Sequence, residues 1–319
     1  MDHDTVEDHD HGLQHDLTAI ATRMMARRRL LGFMGTGGAA ALLAACGGGD
    51  GSSSGTTATT ATTTTTTSST GTTTTGTTTT GTTTTGTTTT GTTTTAAPAS
   101  CVADPQETNG PYPSDGSNSV NGTISNILQA SGVVRSDIRS SFGTSTNTAA
   151  GVPLTLTLTL ANTNASCAAL AGYAIYIWCC DRAGNYSLYS SGVQNENYLR
   201  GVQVTDANGQ VTFTLIYPGC YSGRWPHIHF EVYPSLATAT SYTNRILTSQ
   251  FAMPDAINTA VYNGATGYTS SITNYARITL ASDNVFGDNT SAQIAAMTPT
   301  LAGSVTNGFT GTAVIGLAR

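Results

Sequence analysis

Lysine is absent. All twelve basic residues outside histidine are arginine, and charged residues make up only 9% of the 319-residue chain. From Cys101 onward eight arginines face eleven acidic residues, a net charge of −3. That balance excludes the basic surface a nucleic-acid partner would require. Long apolar runs are missing too. The longest, residues 30–45, spans about 16 residues against the roughly 20 a membrane-crossing helix needs, and small residues break it. Helical periodicity is scarce, with only residues 136–140 and 255–262 suggesting short helices. Histidine is nearly absent from the part that can fold: four of six lie before residue 16, and only His227 and His229 remain.

What is present divides unevenly. Residues 1–20 are polar, rich in His and Asp, and read as a solvated leader, although such a tract can hold a metal loosely. Arg27-Arg28-Arg29-Leu30-Leu31 has the form of a twin-arginine export signal. The apolar run after it ends in Leu43-Ala44-Ala45-Cys46, which resembles the lipobox of bacterial lipoproteins, where the cysteine becomes the lipidated first residue. The alternative is an ordinary cleaved signal with an incidental cysteine. Either reading expects an exported protein of the cell envelope or surface, and the lipobox adds a membrane anchor at Cys46. Residues 47–100 are a Gly/Thr-rich linker in which Gly71, Gly76, Gly81, Gly86 and Gly91 each open a GTTTT unit. With nothing to bury, it is expected to be disordered, with a span of about 40 Å. The expected domains are thus 1–46 (leader), 47–100 (linker) and 101–319 (folded, catalytic).

From Cys101 short alternating segments take over. Residues 154–160 read LTLTLTL, with leucine at every second position, the pattern of a half-buried strand. Residues 173–178 and 211–216 are β-rich runs bounded by Asp181, Gly184, Asn208 and Gly209, and residues 277–280 suggest a further strand. The expected fold is all-β, a β-sandwich with long loops and few short helices. Five cysteines, Cys101, Cys167, Cys179, Cys180 and Cys220, fall in this region. Outside the cytoplasm they tend to pair, and an odd number leaves at least one over. Cys179 and Cys180, adjacent on an extended strand, point to opposite faces and have different fates.

The chemistry concentrates in residues 217–233, YPGCYSGRWPHIHFEVY. As a strand, its end sends Ile228, Phe230 and Val232 to one face and His227, His229, Glu231 and Tyr233 to the other. Side chains two apart on a strand stand roughly 6.5–7 Å apart at their roots, so both imidazoles can converge on one metal ion. Upstream, Pro218-Gly219-Cys220 forms a turn that aims Tyr221 toward the strand, and Arg224 precedes the histidines closely.

With these residues in place the sequence resembles the intradiol ring-cleavage dioxygenases, the family of protocatechuate and catechol dioxygenases. The likeness is greatest to their short, single-domain, extracytoplasmic members. It runs through most of residues 101–290. Glu107-Thr108-Asn109-Gly110-Pro111-Tyr112, Arg135-Ser136-Asp137-Ile138-Arg139, and the "WxxDxxGxY" run from Trp178 to Tyr186 match family segments. Leu199-Arg200-Gly201, Thr205-Asp206, Gly209 and Ile216-Tyr217-Pro218-Gly219 follow in the expected order.

The resemblance implies Fe(III) held by Tyr186, Tyr221, His227 and His229. It implies Arg224 as a stabiliser of substrate charge, Gln250 near the substrate, and Tyr221 as the base for the second catechol proton. The partners it implies are a small aromatic diol and O2. Two phenolates are hard anionic donors and favour ferric over ferrous iron. Tyr189 competes with Tyr186, and Tyr217 with Tyr221. Glu231 could complete a two-histidine, one-carboxylate site of a different oxidase. A third alternative is a surface-anchored sandwich that binds without catalysis. Two departures stand out: only Ser222 and Gly223 separate Tyr221 from Arg224, and Trp225 stands where a small residue is usual. Both are expected to reshape the pocket mouth, so the identity of the catechol does not transfer.

Overall fold

A computed structural model of the chain describes residues 101–319. The leader, the linker and Cys46 lie outside the described residues. Eleven strands are found among them. They are β1 (Asp115–Val120), β2 (Thr123–Asn126), β3 (Pro153–Asn162), β4 (Ala168–Ala169), β5 (Ala174–Trp178) and β6 (Arg200–Val204). They continue with β7 (Gln210–Ile216), β8 (His227–Tyr233), β9 (Leu247–Ala252), β10 (Thr300–Ser304) and β11 (Gly308–Leu317). Three short helices follow β9: α1 (Asp255–Gly264), α2 (Thr269–Tyr275) and α3 (Ser291–Ala296).

The strands form two main sheets and a small β1–β2 hairpin. The first sheet runs β10-β11-β3, with β7 on the other side of β3 and β4 at its far end; the second runs β6-β5-β8-β9. In the first, Leu154, Leu156, Leu158 and Leu160 of β3 are fully buried while the threonines between them are not. They meet Ile175 and Ile177 of β5 and Ile228, Phe230 and Val232 of β8 in one core, so the two sheets pack face to face as a β-sandwich. The leucine alternation and the β-rich runs are therefore where the sequence puts them.

Two expectations fail, and the cysteines pair less fully than expected. Residues 277–280 do not form a strand: α2 has just ended, and Thr279 and Ser282 cap a single 3-10 turn, Leu280–Ser282. Residues 136–140 are extended rather than helical, because their backbone is drawn into sheet contacts. Ile138 N–H donates to Thr214 O and Thr214 N–H to Ser136 O. Residues 255–262 do form a helix, α1. Of the five cysteines, Cys101 pairs with Cys167, while Cys179, Cys180 and Cys220 are buried free thiols. Cys179 enters the main core and Cys180 the cluster around Trp178 and Tyr186, opposite faces as expected, but neither is bridged.

Candidate metal and catechol site

The second sheet buries both of its faces. All seven residues of β8 are buried. Strand register sets Arg200, Trp178, His229 and Gln250 in one row across β6, β5, β8 and β9. In that row the Trp178 and His229 rings stack at 4.7 Å with a 4° interplanar angle. That contact fixes the His229 ring, whose Nδ1 finds no hydrogen-bond partner in the protein. His227 is fixed differently: its Nδ1–H donates to the Trp225 carbonyl at 2.5 Å. This selects the tautomer that leaves Nε2 as the donor atom facing the site.

Two loops bring the tyrosines. After β5, the carboxylate of Asp181 accepts N–H bonds from Ala183 (2.8 Å) and Asn185 (3.0 Å), closing the turn that delivers Tyr186. After β7, Gly219 N–H donates to Asp181 O at 3.1 Å, so the second loop is tied to the first and delivers Tyr221 beside it. Gly184, at φ +91°, allows this approach, since a Cβ there would lie 3.1 Å from that of Tyr221. Gly110 does the same for the N-terminal strap: its φ is +68°, and an added Cβ would stand 3.2 Å from His229 Cε1. Tyr112, two residues on, packs on Tyr186 with ring centroids 4.8 Å apart.

The result is a convergence of four donor atoms. His227 Nε2 lies 3.3 Å from the Tyr186 hydroxyl, 3.4 Å from the Tyr221 hydroxyl and 3.1 Å from His229 Nε2. Ligands about 2.0–2.1 Å from one cation in tetrahedral array stand about 3.3 Å apart, so the set fits a metal ion. The electrostatics fit as well. Burial, reinforced by the neighbouring Tyr221, holds the Tyr186 phenol well above its ordinary range, and burial pushes Tyr221 up to about 12 despite Arg224 beside it. Burial and Arg224 push His227 down to about 3, and burial with His227 pushes His229 well below its usual value. Neutral imidazoles offer lone pairs, and two buried phenols ionise only beside a compensating cation.

Arg224 and Gln250 meet at the same place. Arg224 is buried; one NH2 group donates to Gln250 Oε1 at 2.7 Å and the other to the Tyr221 hydroxyl at 3.4 Å. Gln250 Nε2 in turn donates to Thr108 O at 2.9 Å, tying the strap to β9. The rival residues are occupied elsewhere. Tyr189 OH donates to Asn118 at 2.8 Å, Tyr217 OH to Asn258 at 2.6 Å, and Glu231 is held by Tyr233 OH at 2.6 Å and Arg245 at 3.1 Å. Trp225 overturns an expectation. Its indole does not stand at the pocket mouth but is buried with Val285, Phe286 and Met297, Nε1–H donating to Met253 O at 2.9 Å.

The comparisons with known proteins agree with this architecture. Residues 139–238 match the family described as Dioxygenase. An intradiol ring-cleavage dioxygenase from Tetranychus urticae superposes with a TM-score of 0.51 at 21% identity, over 68% of this chain and 95% of that one. The described residues share the fold of that dioxygenase, and the family match lies within them. The dioxygenase domain of a fusion with a carbohydrate-binding protein from Streptomyces sp. SirexAA-E gives a TM-score of 0.41 at 22% identity, covering 68% of this chain and 99% of that one. The 3-chlorocatechol 1,2-dioxygenase from Rhodococcus opacus 1CP gives 0.40 at 16% identity, covering 69% and 74%. No curated protein matches the chain.

Reading the sequence as an intradiol dioxygenase brought forward Tyr186, Tyr221, Arg224, His227, His229 and Gln250, and these are together. It left out Asp283, the buried carboxylate bonded to Arg224 at 3.0 Å. A buried arginine demands such a partner, but nothing in Ser282-Asp283-Asn284 marks which acid supplies it.

Proposed function

We propose that this protein is a non-haem iron(III) dioxygenase that opens a catechol-type ring between its two hydroxylated carbons with O2. The observation that carries the reading is that two phenol oxygens and the His229 Nε2 all lie 3.1–3.4 Å from His227 Nε2. Tyr186, Tyr221, His227 and His229 would hold ferric iron, which would supply Lewis acidity toward a catechol-type substrate.

The chain's own residues do the rest. In this reading Tyr221, as the tyrosinate, would accept the second catechol proton. Arg224, cationic and buried beside it, stabilises the negative charge that develops on the substrate. Gln250 holds the Arg224 guanidinium and, through Thr108, the strap that closes over His229. Glu231 takes no part, since Arg245 and Tyr233 hold it away from the imidazoles.

The test is the visible spectrum of the iron-loaded protein before and after anaerobic addition of catechol. A broad tyrosinate-to-iron band that shifts with catechol and collapses on admission of oxygen supports the reading. Tyr221→Phe should remove most of that band together with turnover. A colourless protein that holds iron would overturn the two-tyrosinate site, and a protein that takes up no metal would point to the non-catalytic sandwich. We further place the reaction outside the cytoplasm, on a lipid anchor at Cys46, because the twin-arginine run and lipobox precede the linker. Incorporation of labelled palmitate that survives in Cys46→Ala would sink the anchor.

A further inference from the structure

One buried carboxylate lies beside the site without facing it. Asp283 follows the 3-10 turn Leu280–Ser282 and is 2% exposed. Its two oxygens accept five N–H bonds. Oδ2 takes Arg224 Nε–H at 3.0 Å and Trp225 N–H at 2.6 Å; Oδ1 takes Arg224 NH2 at 3.4 Å, Val285 N–H at 2.8 Å and Phe286 N–H at 3.1 Å. Such a set fills the lone pairs of an ionised carboxylate and leaves it no freedom to turn.

The consequence falls on Arg224. One edge of its planar guanidinium is clamped by Asp283, so the remaining N–H groups can only point toward Tyr221 and Gln250. The Phe286 ring, with its centroid 5.9 Å from Arg224 Cζ, packs beside the guanidinium. The same carboxylate holds the Trp225 peptide, whose carbonyl accepts from His227 Nδ1. Between them Pro226 has no N–H, so the path from Arg224 to His227 has few ways to rearrange.

We propose that Asp283 is a positioning residue that fixes the Arg224 guanidinium against Tyr221 and Gln250 and thereby sets how tightly the site holds a catecholate. It does so without touching the substrate. The proposal rests on the dioxygenase reading above, and the experiment separates the two. The iron-loaded full chain is titrated anaerobically with 4-nitrocatechol, a coloured catechol, in wild type, Asp283→Asn, Arg224→Gln and the double variant. Asp283→Asn keeps the side chain's size but places an N–H donor among N–H donors. It should weaken the dissociation constant by about 10–100-fold, the scale on which outer-shell partners act. In the Arg224→Gln background the same change should alter binding by less than about twofold, because the group it acts through is gone.

A merely structural Asp283 would cost the same in both backgrounds, and that result, or wild-type affinity in Asp283→Asn, overturns the proposal. If Asp283→Asn does not fold alone, Asp283→Glu enters the same cycle, keeping the charge while displacing it. A second readout needs no iron: the Arg224 Nε–H resonance should be protected from solvent exchange in wild type and lose that protection in Asp283→Asn. Failure of the wild-type protein to bind 4-nitrocatechol overturns the dioxygenase reading itself and removes the proposal with it.

Discussion

β3 and β8 share the alternation of a strand but treat their second face in opposite ways. On β3 the leucines enter the core and the intervening threonines stay partly exposed. On β8 Ile228, Phe230 and Val232 enter the same core, yet His227, His229, Glu231 and Tyr233 are buried too. The strap from Glu107 to Asp115 and the loops after β5 and β7 cover that second face: Gly110 lies against the His229 ring, and Tyr176 OH on neighbouring β5 donates to Pro113 O at 2.8 Å. A buried polar group left unpaired costs about 1–3 kcal/mol, so a strand that buries one whole polar face has had partners arranged for it. The threonine face needs none, because water serves. The difference separates a sheet that builds the sandwich from a sheet that builds a site.

The most damaging way to break that contrast is His229→Ala. It should lower iron affinity by more than the roughly 100-fold an outer-shell loss can cost, and abolish the tyrosinate band and turnover, as metal analysis and spectra would show. Thr159→Ala, on the open face of β3, should leave all three unchanged. Next in size is the link at the end of β3. Cys101 and Cys167 are separated by 66 residues. Replacing both with serine should cost about 4 kcal/mol by loop-closure entropy, read as a lower urea midpoint with iron binding intact. Lost iron binding with unchanged stability would reverse the assignment of the two sheets.

How much of this contrast the sequence carried depends on which face is considered. The leucines of β3 and the apolar side of β8 could be read directly, since period-2 burial is a local signal. The pairing of His227 with His229 was equally local, and the motifs from Trp178 to Tyr186 and around Tyr221 supplied the tyrosines. What was not legible depends on distant chain. Asp283 reaches Arg224 across 59 residues. Asp115, which with Glu231 holds Arg245, comes from the strap. The β10–β11 hairpin escaped because Gly303, Gly308, Gly311 and Gly316 interrupt its alternation. At Gly316 the reason is spatial: Asp104 N–H donates to Gly316 O, Gly316 N–H donates to the Asp104 carboxylate, and a Cβ would collide with the Val102 carbonyl. Trp225 was misplaced because a residue's neighbours in sequence do not show which way its side chain turns.

Asp104 gives a smaller and pH-dependent test at the edge of the first sheet. Its carboxyl is buried and takes one N–H, from Gly316 at 2.7 Å, while Oδ1 has no partner. Burial raises it from the usual carboxylate value of 3.8 to about 7, with the Gly316 bond opposing. The folded form therefore keeps a proton that the unfolded chain releases, and stability falls as pH rises from 4 toward 7, then levels. Asp104→Asn should remove that part of the slope and be more stable than wild type at pH 8 by on the order of 2 kcal/mol. Urea titrations of both proteins at pH 5 and pH 8 measure it, and parallel curves at both pH values would show that the carboxyl is solvated.

The smallest expected effect sharpens the comparison most, because it uses one substitution on both sheets. Thr157 on β3 shares a 2.9 Å hydroxyl contact with Thr212 on the open face. Thr157→Val keeps the β-branched shape and gives its partner back to water, so stability should change by no more than about 0.5 kcal/mol. Thr248 on β9 is fully buried, and its hydroxyl donates to Glu231 Oε1 at 3.4 Å. Thr248→Val leaves that carboxylate short of a donor no water can replace, and should cost about 1–2 kcal/mol. Equal costs at the two positions would mean that the second face of β8 and β9 is as open to solvent as the threonines of β3. The burial that holds the imidazoles, Arg224 and the tyrosines in place would then lose its physical basis.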